Sequence, residues 1–408
     1  MMRRMTWQAL IWLPLLATSA WSGTVGGEAG AAFLGGDLFW VIRFTPELDV
    51  GRFGAGLDVE LLMQREGLRD DDWASSHQWV RLIRYVRWGV ASDPVHLRLG
   101  ALNALTVGRG LMVSRYTNWY DEDYRRLGVH ACARARRVGL DAFSSSVGRQ
   151  EILGARLWIE PFSRPAVALG PWRFGFSVVA DDDPDADRRT GDGVTIVGFD
   201  SEFPLVQGSP AGCLLYGEAA SILRYGTGGA AGIGIDLGTM AMFSGLQCRL
   251  ERRFLGARFL PAYMDAFYGV ARFDPATGLR KRDLLDATGA HGGWYAELQG
   301  TLAGTASLVA GFSRRNGSTG SGAFHVDVAP LAVGQRVQLR ASLDATGIET
   351  LSDLTESGKT LIELWAGYRL NGWASCYLRF LRTFEKADDG AYRPVDVISP
   401  RLTASLAF

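Results

Sequence analysis

Lysine is almost missing from this chain. Of its 43 basic residues, only Lys281, Lys359 and Lys386 are lysine, and arginine supplies the rest. Acidic residues also number 43, so the formal net charge is zero, and no basic surplus marks a nucleic-acid-binding surface. The chain is equally poor in cysteine, with Cys132, Cys213, Cys248 and Cys376 far apart and without metal-type spacing. Cys248 and Cys376 fall at apolar positions of strand-like segments, which points to packing. After the first two dozen residues no apolar run reaches the ~18 residues that a spanning helix needs. Phosphate-loop and dinucleotide patterns are absent too, so Gly26-Gly27 and Gly228-Gly229 read as turn glycines. No fixed repeat of 20–50 residues suggests a solenoid or propeller.

The first residues have the make-up of an export signal. Arg3 and Arg4 precede the short apolar run Ala9–Ala17, and small residues then offer cleavage after Ala20 or Ser22. Pro14 and the short run argue against a membrane anchor, and no cysteine near the cleavage site marks a lipoprotein. The expected division is therefore a signal peptide over 1–22 and one domain over 23–408.

What is abundant is glycine, at 51 residues, together with 13 tryptophans, 12 tyrosines and an alternation of period two. Leu57, Val59, Leu61 and Met63 share one face of a segment whose other face carries Asp58, Glu60 and Gln64. Over 336–344, Arg336, Gln338, Arg340, Ser342 and Asp344 oppose an apolar face. On a helix such charges would circle the whole circumference, whereas on a strand they define one solvated side. The same pattern predicts strands near 37–46, 79–90, 95–107, 138–146, 152–162, 171–181, 194–205 and 212–225. Further strands fall near 230–238, 241–260, 292–302, 305–314, 322–329, 359–370, 373–385 and 396–408, with 25–34 and 127–134 weaker. The count is about 18, within a range of 16 to 20.

Connections give a second signal. Ala91–Pro94, Ala303-Gly304 and Asn371-Gly372 are tight, while 65–78, 108–126, 182–193, 261–291, 346–358 and 386–395 are long and polar. Counted back from the C-terminus, the long ones fall on one side of the sheet. The chain closes on Arg401-Leu-Thr-Ala-Ser-Leu-Ala-Phe408, with Leu402, Ala404, Leu406 and Phe408 on one face. This segment resembles the C-terminal strand of bacterial outer-membrane porins, departing from it at Leu406, where many such strands carry an aromatic. The resemblance implies an all-β transmembrane antiparallel barrel in the outer membrane, with lipid around it and the barrel assembly machinery reading the strand that ends at Phe408. An oligomer is compatible with this reading.

In hydrocarbon a sheet must close on itself, turning apolar residues to lipid and polar ones to a wet lumen. Leu38, Trp40, Ile42, Phe44, Trp172, Phe174, Phe176 and Val178 are the outward candidates. A soluble sandwich or β-helix would have to bury the opposing charges of Arg156, Glu160, Arg173 and Glu202 in its core. Candidate pore-lining residues are Arg43, Asp58, Glu60, Arg81, Arg87, Arg98, Arg249, Glu251, Arg253, Arg336, Arg340, Asp344 and Arg379. Arg84 and Arg252 break the alternation, which calls for a bulge or a rim position.

Mixed charge around a bore suits passive or weakly selective diffusion of small hydrophilic solutes, with no cofactor and no bound metal. The competing reading is a closed or ligand-binding barrel in which the charges pair and plug the bore. Among His77, His96, His130, His291 and His325, only His325 has a same-face carboxylate, Asp327, and no serine nucleophile accompanies them, so an enzyme is not expected. The clusters Asp70-Asp71-Asp72 and Asp181-Asp182-Asp183 are read as solvated loop tips, with Ca²⁺ binding or divalent bridging to lipopolysaccharide as the alternative. The aromatic-rich connection 261–291 has the length to fold into the lumen as a constriction or to cap it from outside.

Overall fold

A computed structural model describes residues 21–408 apart from 35, 66, 70–78, 120–125, 149–150, 163–170, 186, 188, 207–210, 240–242, 303 and 388. The signal segment, Asp70–Asp72 and His77 lie outside the described residues. Period-two alternation becomes twenty antiparallel strands, each hydrogen-bonded to the next, and the last is paired with the first. They are β1 Trp21–Leu34, β2 Asp37–Val50 and β3, which Asp58 splits into Phe53–Leu57 and Val59–Gln64. Next come β4 Ile83–Trp88, β5 Val95–Gly100, β6 Gly128–Ala135, β7 Val138–Ser144, β8 Ile152–Ile159, β9 Arg173–Asp181 and β10 Val194–Val206. The wall continues with β11 Gly212–Ile222, β12 Gly226–Asp236, β13 Phe243–Leu255, β14 His291–Leu302 and β15 Ala306–Arg315. It ends with β16 Gly322–Val333, β17 Val337–Ile348, β18 Thr360–Arg369, β19 Ala374–Lys386 and β20 Tyr392–Ala407.

Both weakly patterned segments, 25–34 and 127–134, are true strands, which raises the count from 18 to twenty. An even number is what an antiparallel ring closed by its own ends requires. Gly26-Gly27 and Gly228-Gly229 are not turns but lie inside β1 and β12. The connections 65–82, 101–127, 182–193, 256–290 and 349–359 all leave one rim. The opposite rim carries both ends of the sheet and short turns, with 160–172 as the one longer link.

The outer surface is apolar. Trp40, Ile42, Phe44, Phe176, Phe199, Leu250 and Leu402 are all exposed on it, and aromatics stand near both rims, Phe33 and Phe254 at one, Trp88, Trp373 and Phe408 at the other. A closed sheet wearing such a belt is the form in which strands cross a bilayer. No helix among the described residues is long and apolar enough to do so. Cys248 and Cys376 sit on this outer face.

Arg84 and Arg252 obey physical rules that alternation alone does not show. Arg84 is the extra residue where Gly56 and Leu57 face Tyr85 and Ile83, and this bulge lets it reach Glu47. Arg252 faces outward three residues before the long-loop end of β13, with its guanidinium 4.7 Å from the centre of the Trp294 ring.

Seam closure uses the chain's own last residue. Gly23 N–H donates to Phe408 O and Phe408 N–H to Gly23 O, both at 2.9 Å. Inside the seam, Arg401 of β20 donates to Glu28 of β1 at 3.0 Å and Glu60 of β3 at 2.7 Å. Arg43 of β2 grips Asp58 through two bonds of 2.6 Å. Tyr377 of β19 adds a 2.6 Å bond to Glu28, so one polar network ties five strands around the joint.

The apolar core lies within the barrel, not between two layers. Connection 101–127 forms a small hairpin, Leu105–Val107 with Val113–Tyr116. It meets connection 256–290 through Ala262 N–H to Leu111 O and Met264 N–H to Met112 O, at 2.7 and 3.1 Å. Leu111, Met112, Val113, Tyr116, Phe259, Tyr263, Met264 and Tyr268 pack there against Phe143, Val179, Ile196 and Ile222 of the wall. Wall glycines make the room: a Cβ on Gly228 would lie 2.4 Å from the Phe259 ring, and one on Gly198 would lie 2.6 Å from Met112 Sδ.

Candidate solute path inside the barrel

The two infolded loops are held by charge as well as by apolar contact. Glu218 of β11 reaches the hairpin turn, accepting from Arg109 N–H at 2.8 Å and Leu111 N–H at 2.9 Å. At the far edge, Tyr268 Oη donates to Asp181 at 2.9 Å, and Arg272 pairs with Glu151 at 2.6 Å and Asp181 at 3.4 Å. Arg126 binds the same Glu151 at 2.6 Å. Burial pushes the Glu151 carboxyl up, but the adjoining Arg126 and Arg272 guanidiniums outweigh this and hold it below the ordinary range. Asp181, read from sequence as part of a solvated tip, is fully buried and anchors the second loop instead.

Arg115 carries the loops across the bore. Its backbone adopts φ +56°, a left-handed conformation costing a non-glycine residue roughly 1–2 kcal/mol, and its N–H donates to Thr106 Oγ1 at 3.1 Å. That geometry sends the guanidinium to the opposite wall. There it pairs with Asp344 of β17 and Asp327 of β16, each at 2.7 Å. Asp327 also accepts from Ser342 Oγ at 2.6 Å. His325 meets Glu297 at 3.7 Å, so His325 and Asp327 have different partners and do not form a base with its orienting acid.

Two cavities with charged groups in their linings flank this crossing. One of about 330 Å³ on the long-loop side is lined by Arg115, Arg253, Tyr295, Arg315, His325 and Asp344. The other, of about 540 Å³, opens toward the short turns and is lined by Arg109, Arg173, Glu202, Arg249, Glu297 and Gln299. Between them Glu251, fully buried, accepts from Arg249 at 2.7 Å, Arg253 at 2.6 Å and Tyr216 at 3.1 Å.

Most of the sequence-derived candidates fall into two groups. Arg43, Asp58, Glu60, Arg249, Glu251 and Arg253 face inward but are tied into the seam network or this central cluster. Arg87, Arg98, Arg340, Asp344 and Arg379 face the lumen. Arg87 binds Asp49 at 2.6 Å, and Arg379 and Arg340 approach Glu363 at 2.9 and 3.7 Å. Arg98 and Arg340 remain largely open to solvent, and Arg98 lies 5.5 Å from the Tyr85 ring centre. Arg336 belongs to neither group. It sits in the β16–β17 turn and donates to Tyr368 Oη at 3.0 Å, because β17 begins one residue later and leaves it at the rim. The backbone of Arg81 lies in the 3-10 turn Val80–Leu82, and its side chain is outside the description.

Arg109 and Arg115 were not singled out from the sequence. They lie in the connection 101–127, and no periodicity marks the inward face of a loop. The signal available was local: turn glycines Gly108 and Gly110 amid an apolar run.

No protein-family model and no curated protein matches the chain. Among solved structures it is similar to a mutant of the ferric enterobactin receptor PfeA of Pseudomonas aeruginosa. Identity there is 10%, with 95% of this chain and 81% of that one covered and a TM-score of 0.41. It is also similar to OccK11 (OpdR) of the same organism, at 13% identity, 96% and 97% coverage and a TM-score of 0.36. With OprD of that organism identity is 8%, coverage 96% of each chain and the TM-score 0.36.

Proposed function

We propose that the protein is an outer-membrane channel for small hydrophilic solutes, narrowed by its two infolded loops rather than freely open. The observation that carries this is the division of the interior. Apolar side chains of the loops are packed onto β7–β13, whereas their other side presents Arg115 to Asp327 and Asp344, between two cavities that both carry charged groups. A wet, charge-lined gap favours hydrated solutes and excludes greasy ones, because an ion or polar group entering it exchanges water for fixed charges. Arg98 and Arg340, open to solvent in the short-turn half, would set ion preference. Export would use the segment 1–22, with Arg3 and Arg4 ahead of the apolar run Ala9–Ala17, and 23–408 would form the barrel.

The test is planar-bilayer conductance of refolded protein under a salt gradient. Discrete small steps are expected from the wild type, with larger steps from Arg115→Ala and a shifted reversal potential from Arg340→Glu. Arg336→Ala should leave the reversal potential where it was. A well-folded barrel that conducts neither as wild type nor as Arg115→Ala would instead be a closed, ligand-binding or structural barrel.

A further inference from the structure

The cysteines lack metal-type spacing along the chain, yet the barrel assembles one of them with two histidines. In the register of β5 and β6, Cys132 stands directly opposite His96, and in that of β6 and β7 it stands directly opposite Asp141. His130 lies two residues away on the same inward face of β6. One donor atom each from His96, His130 and Cys132 lies within 4.8 Å of the others. His96 and Cys132 are both buried, and their neighbour's Nε2 is 3.5 Å from Cys132 Sγ. The two imidazole rings meet edge to face with centroids 6.3 Å apart.

We propose that these residues form a zinc site in the barrel wall, near the short-turn rim. Tetrahedral zinc holds imidazole nitrogen at about 2.0–2.1 Å and thiolate sulfur at about 2.3 Å, which places an N–S edge near 3.6 Å. The Cys132–His130 separation already matches that edge. Two neutral imidazoles, one thiolate and the Asp141 carboxylate as fourth ligand give two negative charges, which balance a divalent ion inside a low-dielectric wall. Thiolate with imidazole selects zinc or copper over magnesium and calcium, whose sites are built from oxygen. Three adjacent strands supply the ligands at one height, so an ion here would clamp β5, β6 and β7 together. It stands whether or not the barrel conducts.

The experiment uses the full chain folded in detergent, stripped of metal and kept reduced with a phosphine. Zn²⁺ is titrated by calorimetry, and Co²⁺ serves as the spectroscopic probe. One ion per chain is expected, with a thiolate-to-cobalt charge-transfer band that Cys132→Ala abolishes and Cys376→Ala retains. Losing an outer-shell partner already weakens zinc sites about 10–100-fold, so His96→Gln should weaken binding more than a hundredfold. Heat-modifiable migration reports that each variant is folded. In the wild type itself, Zn²⁺ should protect Cys132 from alkylation, read by peptide mass spectrometry. Absence of the cobalt band, or binding and alkylation rates indifferent to Cys132, His96 and zinc, would overturn the proposal.

Discussion

Replacing Glu251 by glutamine tests whether the centre of the barrel is a dry ion cluster or merely wet. Glu251 is fully buried, and its carboxylate pairs with both Arg249 and Arg253, at 2.7 and 2.6 Å. Glutamine keeps the size and one acceptor but removes the charge, leaving two guanidiniums without their shared anion. Removing one partner of a buried pair destabilises by about 3–5 kcal/mol. Arg249 keeps its 2.7 Å bond to Tyr216 Oη and some access to lumen water, so the lower end, about 3 kcal/mol, is expected. That corresponds to a roughly hundredfold change in the folding equilibrium, at about 1.4 kcal/mol per factor of ten. The assay is urea unfolding in lipid vesicles, followed by circular dichroism and heat-modifiable migration. Asp396→Asn provides the contrast, since the Arg382–Asp396 pair at 2.7 Å leaves its carboxylate well exposed and should be worth under about 1 kcal/mol. If Glu251→Gln shifts stability no more than Asp396→Asn does, the cluster is hydrated and the reasoning fails.

Gly228→Val puts atoms where the Phe259 ring lies, so connection 256–290 should be pushed off the wall; increased trypsin cutting at Arg258, Arg280 or Lys281 reads this, and an unchanged digest would contradict the packing. Phe176 faces outward in the middle of β9, and Phe176→Arg should destabilise insertion by roughly 2–4 kcal/mol, measured as folded fraction in vesicles against urea; a neutral outcome would remove that face from the hydrocarbon. Glu151 is held below the usual carboxylate range, so its contribution is present above the unfolded value of about 4.3 and is lost as pH falls through the lower folded value. Hydrogen exchange at Tyr268–Arg272 should therefore quicken, relative to the intrinsic rate, on acidification below about pH 4, and Glu151→Gln should show the fast exchange already at neutral pH. Deleting Phe408 removes both 2.9 Å bonds to Gly23 and should lower the yield of assembled barrel in cells, whereas wild-type yield would show that the seam closes without it.

Residue order by itself placed the strands, except that 95–107 ends at Gly100 and 79–90 is a strand only over Ile83–Trp88. Period-two alternation needs no partner to be visible, so even the weak segments 25–34 and 127–134 proved to be walls. The same alternation put Trp40, Ile42 and Phe44 outside and Arg43, Arg249 and Glu251 inside. What alternation cannot express is a departure from it. Arg84 turns on a bulge set by the register of β3 against β4, and Arg336 leaves the lumen because β17 starts one residue late. The loops lay further still beyond the sequence. Arg115 meets Asp327 and Asp344 more than 200 positions away, and Cys132 finds His96 only when β5 and β6 come into register. Such contacts join residues whose separation along the chain carries no period, and only closure of the barrel decides which of them meet.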